Sequence, residues 1–135
     1  GSDATSQRTT AEDKGDHYLL NGTKNWITNG GTASVYLVIA QTDPAKGSKG
    51  INCLIVEKNW PGVVVAAKEN KLGIRGSDTH TVMFNDVKVP KENRIGEDGF
   101  GFKLVSLHRH WVLPAVLMNW QKNIPKQGKP LAQRS

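Results

Sequence analysis

The sequence predicts an all-β domain, with six or so antiparallel strands closed as a barrel or stacked as two packed sheets. Three observations point there. Apolar and polar residues alternate in short runs, the period of a half-buried strand. Turn signals separate those runs at roughly the 8–12 residue spacing of sandwiches and barrels. No stretch before residue 100 sustains a 3.6-residue period.

The elements follow in order. Tyr18-Leu19-Leu20 meets Asn21-Gly22 and then Thr23-Lys24-Asn25-Trp26-Ile27-Thr28. An Asn-Gly pair between two β-rich runs predicts a type I′ hairpin, because that turn needs positive φ at both central residues. Asn29-Gly30-Gly31 makes the next break, and residues 34–41 (SVYLVIAQ) form a strand rich in β-branched and aromatic side chains. A loop over residues 43–50 leads to a strand at 51–57. The turn Asn59-Trp60-Pro61-Gly62 leads to a strand at 63–68. Residues 72–78 are a glycine-punctuated bend, and TVMFNDVKV at 81–89 alternates once more before Pro90 ends it.

A chain of 135 residues suits one domain with one core. No apolar run approaches the roughly 18–20 residues of a membrane span, and no signal peptide is expected from the residues given. The chain starts at Gly1 rather than Met, as expected of a processed chain or one that begins inside a larger gene. Cys53 is the one cysteine, which excludes a disulfide framework or a cysteine-cluster metal site and fits a reducing compartment. Residues 1–103 carry 13 Lys+Arg against 12 Asp+Glu, a net of +1, whereas residues 104–135 carry 5 basic and no acidic residues. A nucleic-acid domain would spread its basic residues over a folded face. Here the excess sits in the last quarter of the chain, so nucleic acid is not the expected partner.

Several chemical signals fall short. Gly96, Gly99 and Gly101 lack the strand-turn-helix frame of a phosphate loop and read as a flexible connection. His108-Arg109-His110 has no third ligand at useful spacing, so no metal site is expected. No serine sits in a nucleophile elbow. Arg75-Gly76-Ser77-Asp78 offers turn amides to an anion but reads better as a structural bend. Trp26-Ile27-Thr28 stands apart. Two residues apart on one strand, Trp26 and Thr28 are predicted to share a face, an indole to pack on a flat ring system and a hydroxyl to bond a ring nitrogen. The competing reading is a core tryptophan beside a threonine chosen for β propensity.

Five segments then occur in register. They are Gly1-Ser2-Asp3-Ala4, LNGTKNWITN at 20–29, KLGIRGS at 71–77, DVKVP at 86–90 and GFGFK at 99–103. Together they resemble the middle domain of the acyl-CoA dehydrogenases, of the short-chain (butyryl-CoA) type, continuously over residues 1–103. The resemblance implies an oxidoreductase subunit with FAD between this β-domain and two helical domains. It also implies α,β-dehydrogenation of short-chain acyl-CoA thioesters, as in fatty acid β-oxidation, and electrons passed to electron-transferring flavoprotein. A homotetramer is implied as well, with no membrane partner, in the bacterial cytoplasm or the mitochondrial matrix. By the same resemblance Trp26 packs beside the isoalloxazine, Thr28 bonds near its N5, and the backbone of Trp26, Ile27 and Thr28 borders the ring. Ser2 is similar to the serine of the family's EPGxGSD segment, which touches the FAD pyrophosphate and the substrate. Lys46 and Lys49 are candidates to meet the CoA phosphates. The helical domains and the glutamate base have no counterpart in the sequence, so no catalytic residue is expected here. The chain alone is expected to be silent.

The tail departs from the family. Residues 104–135 hold no acids, two Trp and three Pro. Shifting the codon frame forces Leu-Gly from His110-Trp111-Val112 and Glu-Leu-Ala from Met118-Asn119-Trp120-Gln121. Both fall at the family's spacing in the first helix of its C-terminal domain. The tail therefore reads as that helix out of frame. A genuine variant tail is the alternative, with GKPLAQ at 128–133 resembling a later family segment. In that case the chain is a non-enzymatic β-module that binds an anionic partner through its basic tail.

Overall fold

The computed structural model describes residues 6–108. Six strands form one sheet in the order β4-β3-β1-β2-β6-β5. They are β1 (Thr10–Asp13), β2 (His17–Thr28), β3 (Val35–Gln41), β4 (Ile51–Glu57), β5 (Val63–Lys68) and β6 (Thr79–Pro90). Short 3₁₀ turns occupy Pro44–Gly50 and Lys91–Asn93, and helix α1 runs over Gly101–His108. By chain contacts, residues 6–105 lie within one compact unit.

The all-β expectation holds, with two corrections. The sheet is not closed into a barrel: β4 and β5 stand at its two ends. It is also mixed rather than wholly antiparallel, since β1 runs parallel to β3 and pairs with it at Thr10↔Gln41. One apolar cluster lines the sheet's inner face, with Tyr18 and Leu20 of β2, Val38 of β3, Leu54 and Val56 of β4, and Val82, Phe84, Val87 and Val89 of β6. Residues from strands far apart in the sheet order share this cluster, so the sheet bends over its own core. Cross-strand partners Tyr18↔Val89 and Leu20↔Val87 pack side by side within it.

The expected hairpin at Asn21-Gly22 is overturned. β2 runs unbroken through both residues, and its turn lies earlier, at residues 14–16 after the short strand β1. The Asn-Gly pair instead faces a β-bulge. Leu20 pairs with Val87 and Gly22 with Phe84, so β6 holds one residue more than β2 between them. Asp86 takes the left-handed conformation there, at φ 50°. Asn21 locks it, its Oδ1 accepting from the Asp86 amide at 2.8 Å and its Nδ2 donating to Asp86 Oδ1 at 2.9 Å. Gly22 stands at φ +140°, where a Cβ would lie 2.8 Å from Thr9 Cα. Glycine is selected here for close strand approach rather than for a turn.

Asn52 fastens the far edge. Fully buried, it donates from Nδ2 to Thr42 Oγ1 and Asp98 Oδ1, both at 2.8 Å, and accepts the Gly99 amide at 2.9 Å. The glycine-rich segment before α1, expected as a flexible connection, is thereby pinned to β4. Cys53 beside it is buried, and burial pushes its thiol up to about 11, which leaves it inert.

Candidate functional site

A second bulge shapes the end of β2. Lys24 pairs with Val82 and Ile27 with His80, so β2 carries the extra residue this time. Trp26 absorbs it in the left-handed region, at φ 60°. A bulky side chain is seldom found there, and the conformation costs roughly 1–2 kcal/mol. The indole is nonetheless 65% exposed. Strict alternation fails across the bulge, so the same-face argument for Trp26 and Thr28 does not apply. Ile27 and Thr28 line a cavity that Trp26 does not. Ser2 lies outside the described residues, as do Arg109, His110 and the rest of the tail.

The cavity exists because β1 is short. Its residues pair with β2 only from Thr10↔Asn21 to Asp13↔Tyr18, and β3 meets it at Gln41 alone. The later half of β2 and the start of β3 therefore face each other with no strand of the sheet between them. The resulting space holds about 430 Å³. Lys24, Ile27, Thr28 and Asn29 line one side, Val35 to Ile39 the other, and Val82 and Phe84 the floor. Val35 and Leu37 remain about half exposed at its edge. Among the described residues no carboxylate or imidazole lines it.

The turn that follows Thr28 is held by Asp78, which the sequence offered only as part of a bend, and by groups it did not single out. Asp78 Oδ2 accepts the amides of Gly31 at 2.8 Å and Thr32 at 3.0 Å, and its backbone carbonyl accepts the Asn29 amide at 2.7 Å. Its Oδ1 meets His80 Nε2 at 2.6 Å, while His80 Nδ1 meets the Ala66 carbonyl at 2.7 Å. Burial works against the Asp78 charge. The bonds from Gly31, His80 and Thr32 outweigh it and hold the carboxyl below its usual range. Gly31 is required beneath this pair, since a Cβ there would lie 2.6 Å from His80 Nε2. Tyr36 donates its hydroxyl to the Gly30 carbonyl at 2.6 Å, and Lys58 donates to that of Gly31. Arg75-Gly76-Ser77-Asp78 is thus a structural bend.

Lys46 does not stand as a free cation. It lies 3.4 Å from Asp43 and 3.5 Å from Asp98, and its hydrogen bond to Asp43, followed by the charge of Asp98, raises its pKa. Lys24 is the opposite case. Its Nζ donates to Gln7 Oε1 at 2.8 Å, and burial lowers its pKa to about 8. Among the described residues no metal-binding cluster occurs, and no helix is long and apolar enough to cross a membrane.

The site is thus an open β-sheet with a left-handed, exposed tryptophan and a threonine hydroxyl beside an apolar cavity. The acyl-CoA dehydrogenase middle-domain model matches residues 1–87, and the chain belongs to that family. The short-chain specific mitochondrial acyl-CoA dehydrogenase of Rattus norvegicus is 49% identical over 104 residues, 77% of this chain and 25% of that protein. Among solved structures, a chain from the electron transferring flavoprotein work on Acidaminococcus fermentans matches at TM-score 0.74 and 48% identity, covering 78% of this chain and 28% of that one. The Bacillus anthracis acyl-CoA dehydrogenase complexed with FAD matches at TM-score 0.69 and 43% identity, over 78% and 18% of the two chains. The chain spans about a quarter of the length of the curated relatives it matches.

Proposed function

We propose that the chain supplies the β-domain of an FAD-dependent enzyme that dehydrogenates short-chain acyl-CoA thioesters between Cα and Cβ and passes the electrons to electron-transferring flavoprotein. The supporting observation is the end of β2. Trp26 is held strained and exposed, and the next two residues, Ile27 and Thr28, line an apolar cavity. Backbone strain of this kind marks a position kept for use rather than for stability. An exposed indole and a neighbouring hydroxyl fit the face and edge of an isoalloxazine. When bound, the flavin supplies the acceptor for the β-hydrogen. In this reading Trp26 packs beside the ring, and Thr28 and the Ile27 backbone bond its polar edge. Ser2 meets the pyrophosphate and the substrate. The turn held by Asp78 and His80 fixes the backbone that positions Thr28.

This face binds and orients; it does not move the α-proton. With no carboxylate or imidazole among the described residues lining the cavity, the base comes from elsewhere in the intact enzyme, and the chain alone is expected to be silent. We further take residues 1–103 as the middle domain and 104–135 as an out-of-frame reading of the following helix. The intact enzyme is a homotetramer of the bacterial cytoplasm, with the mitochondrial matrix as the second choice.

Titration of the isotope-labelled chain with FAD tests the site. Expected are weak binding and amide shifts confined to Trp26, Ile27, Thr28 and the adjoining turn, with the Trp26 indole N–H moving most. Shifts centred elsewhere, no shifts at saturating FAD, or stoichiometric yellow protein with a slow off-rate would overturn it.

A further inference from the structure

The cavity between β2 and β3 contains an amine that, among the described residues, has no carboxylate beside it. Lys24 lines that space with Ile27, Thr28, Tyr36, Val82 and Phe84, and its Nζ is held by the neutral Gln7 amide oxygen at 2.8 Å. Two lysines of the 3₁₀ turns, Lys46 and Lys91, differ. Lys46 lies between Asp43 and Asp98, and Lys91 pairs with Asp13. An apolar cavity of about 150 Å³ already accepts a benzene, so the space of about 430 Å³ has room for a short acyl chain beside the amine.

We propose that Lys24 is a self-acylation site, its Nζ taking the acyl group of a short-chain acyl thioester that enters this cavity. The proposal rests on the reading that acyl-CoA is the chain's ligand. The neutral amine attacks the thioester carbonyl, an N–C bond forms and the C–S bond breaks. The proton lost by nitrogen leaves with the thiolate as CoA thiol, and no oxidant or reductant is consumed. Burial supplies the nucleophile. With its pKa lowered to about 8, Lys24 carries a sizeable neutral fraction near neutral pH. At pH 7.5 that fraction is about 200-fold larger than for a lysine of ordinary pKa. Lower basicity returns part of the advantage. The product amide fills the cavity with an apolar chain beside Ile27 and Thr28, so acylation acts as substrate-level inhibition of ligand entry.

The test compares two acylating probes on the full chain, each read lysine by lysine by peptide mass spectrometry. Butyryl-CoA is the first, and trace acetic anhydride, which needs no binding site, is the second. Butyryl-CoA is expected to modify Lys24 at least tenfold faster than the exposed Lys68 and Lys88, with saturation in butyryl-CoA and a rate that rises through pH 8. Lys24→Arg removes that labelling and leaves the rest unchanged. If acetic anhydride favours Lys24 but butyryl-CoA does not, the amine is reactive and no thioester reaches it, which overturns the proposal and the acyl-CoA reading together. If Lys24 lags the exposed lysines with both probes, the proposal alone falls. Equilibrium dialysis of butyryl-CoA against the parent chain then still shows binding.

Discussion

From Tyr18 to Leu20, β2 is paired on both sides, to β1 and to β6; from Gly22 to Thr28 it has β6 alone. The first half keeps strict alternation, with Tyr18 and Leu20 buried against Val89 and Val87. The second half gives up regularity. Gly22 closes on Thr9, Trp26 turns left-handed, and Thr28 ends exposed beside a cavity. One strand therefore does two jobs, and the change falls where β1 no longer covers it. A two-sided ladder suits a core because every backbone group is paired and every second side chain faces inward. A one-sided ladder with a bulge leaves room to aim side chains at something else.

Substitution in the paired half should have the largest effect. Leu20 is fully buried within the apolar cluster, and Leu20→Ala is expected to cost about 2–5 kcal/mol. Urea denaturation reads this directly, as a lower midpoint at unchanged slope. Leu37→Ala in β3, where the side chain is half exposed beside the cavity, is the control and should lie within about 0.5 kcal/mol of the parent. Equal losses in the two variants would erase the distinction between core and site.

Lys24 gives the next effect and a pH signature. Its folded pKa, about 8, lies below that of a free lysine, near 10.4, so the folded state disfavours the proton. The penalty is therefore fully present below about pH 8 and is relieved as pH rises from 8 toward 10.4. Lys24→Met should stabilise the chain at pH 7 by about 1–2 kcal/mol, after discounting for the part of the side chain that water still screens. It should also flatten the rise in stability between pH 8 and 10.4. A variant that keeps the parent's pH slope would show that another group titrates there.

How far these two halves were legible in the sequence follows from the same physics. Strands β4 and β5 match the expected residues 51–57 and 63–68, because each is an unbroken run bounded by Gly or Pro turns. The period-2 argument has no term for an inserted residue. It therefore made Asn21-Gly22 a hairpin and set Trp26 and Thr28 on one face, and in both places the structure has a bulge. Strand β1, four residues long, carries too little pattern to register alone and exists by pairing with β2. The Asp78 clamp was equally hidden. Its partners Gly31 and Thr32 lie 47 and 46 residues away, a distance that only the fold closes. Spacing alone left Trp26 and Thr28 with a competing core reading; the five family segments in register are what favour them as site residues.

The smallest effect has the opposite sign. Trp26 sits at φ 60°, a region where glycine carries none of the steric cost that a Cβ does, and its ring is 65% exposed, so little burial is lost on removal. Trp26→Gly is therefore expected to stabilise the chain by about 0.5–1 kcal/mol, a net of relieved strain against the greater entropy glycine adds to the unfolded state. Trp26→Ala, which keeps the Cβ, should gain nothing. In the same samples FAD should no longer perturb the amides of Ile27 and Thr28. Gain in stability together with loss of the ligand response is the signature of a residue kept strained for binding. A loss of stability in both variants would instead make Trp26 a packing residue, and would return the bulge to the structural side of β2.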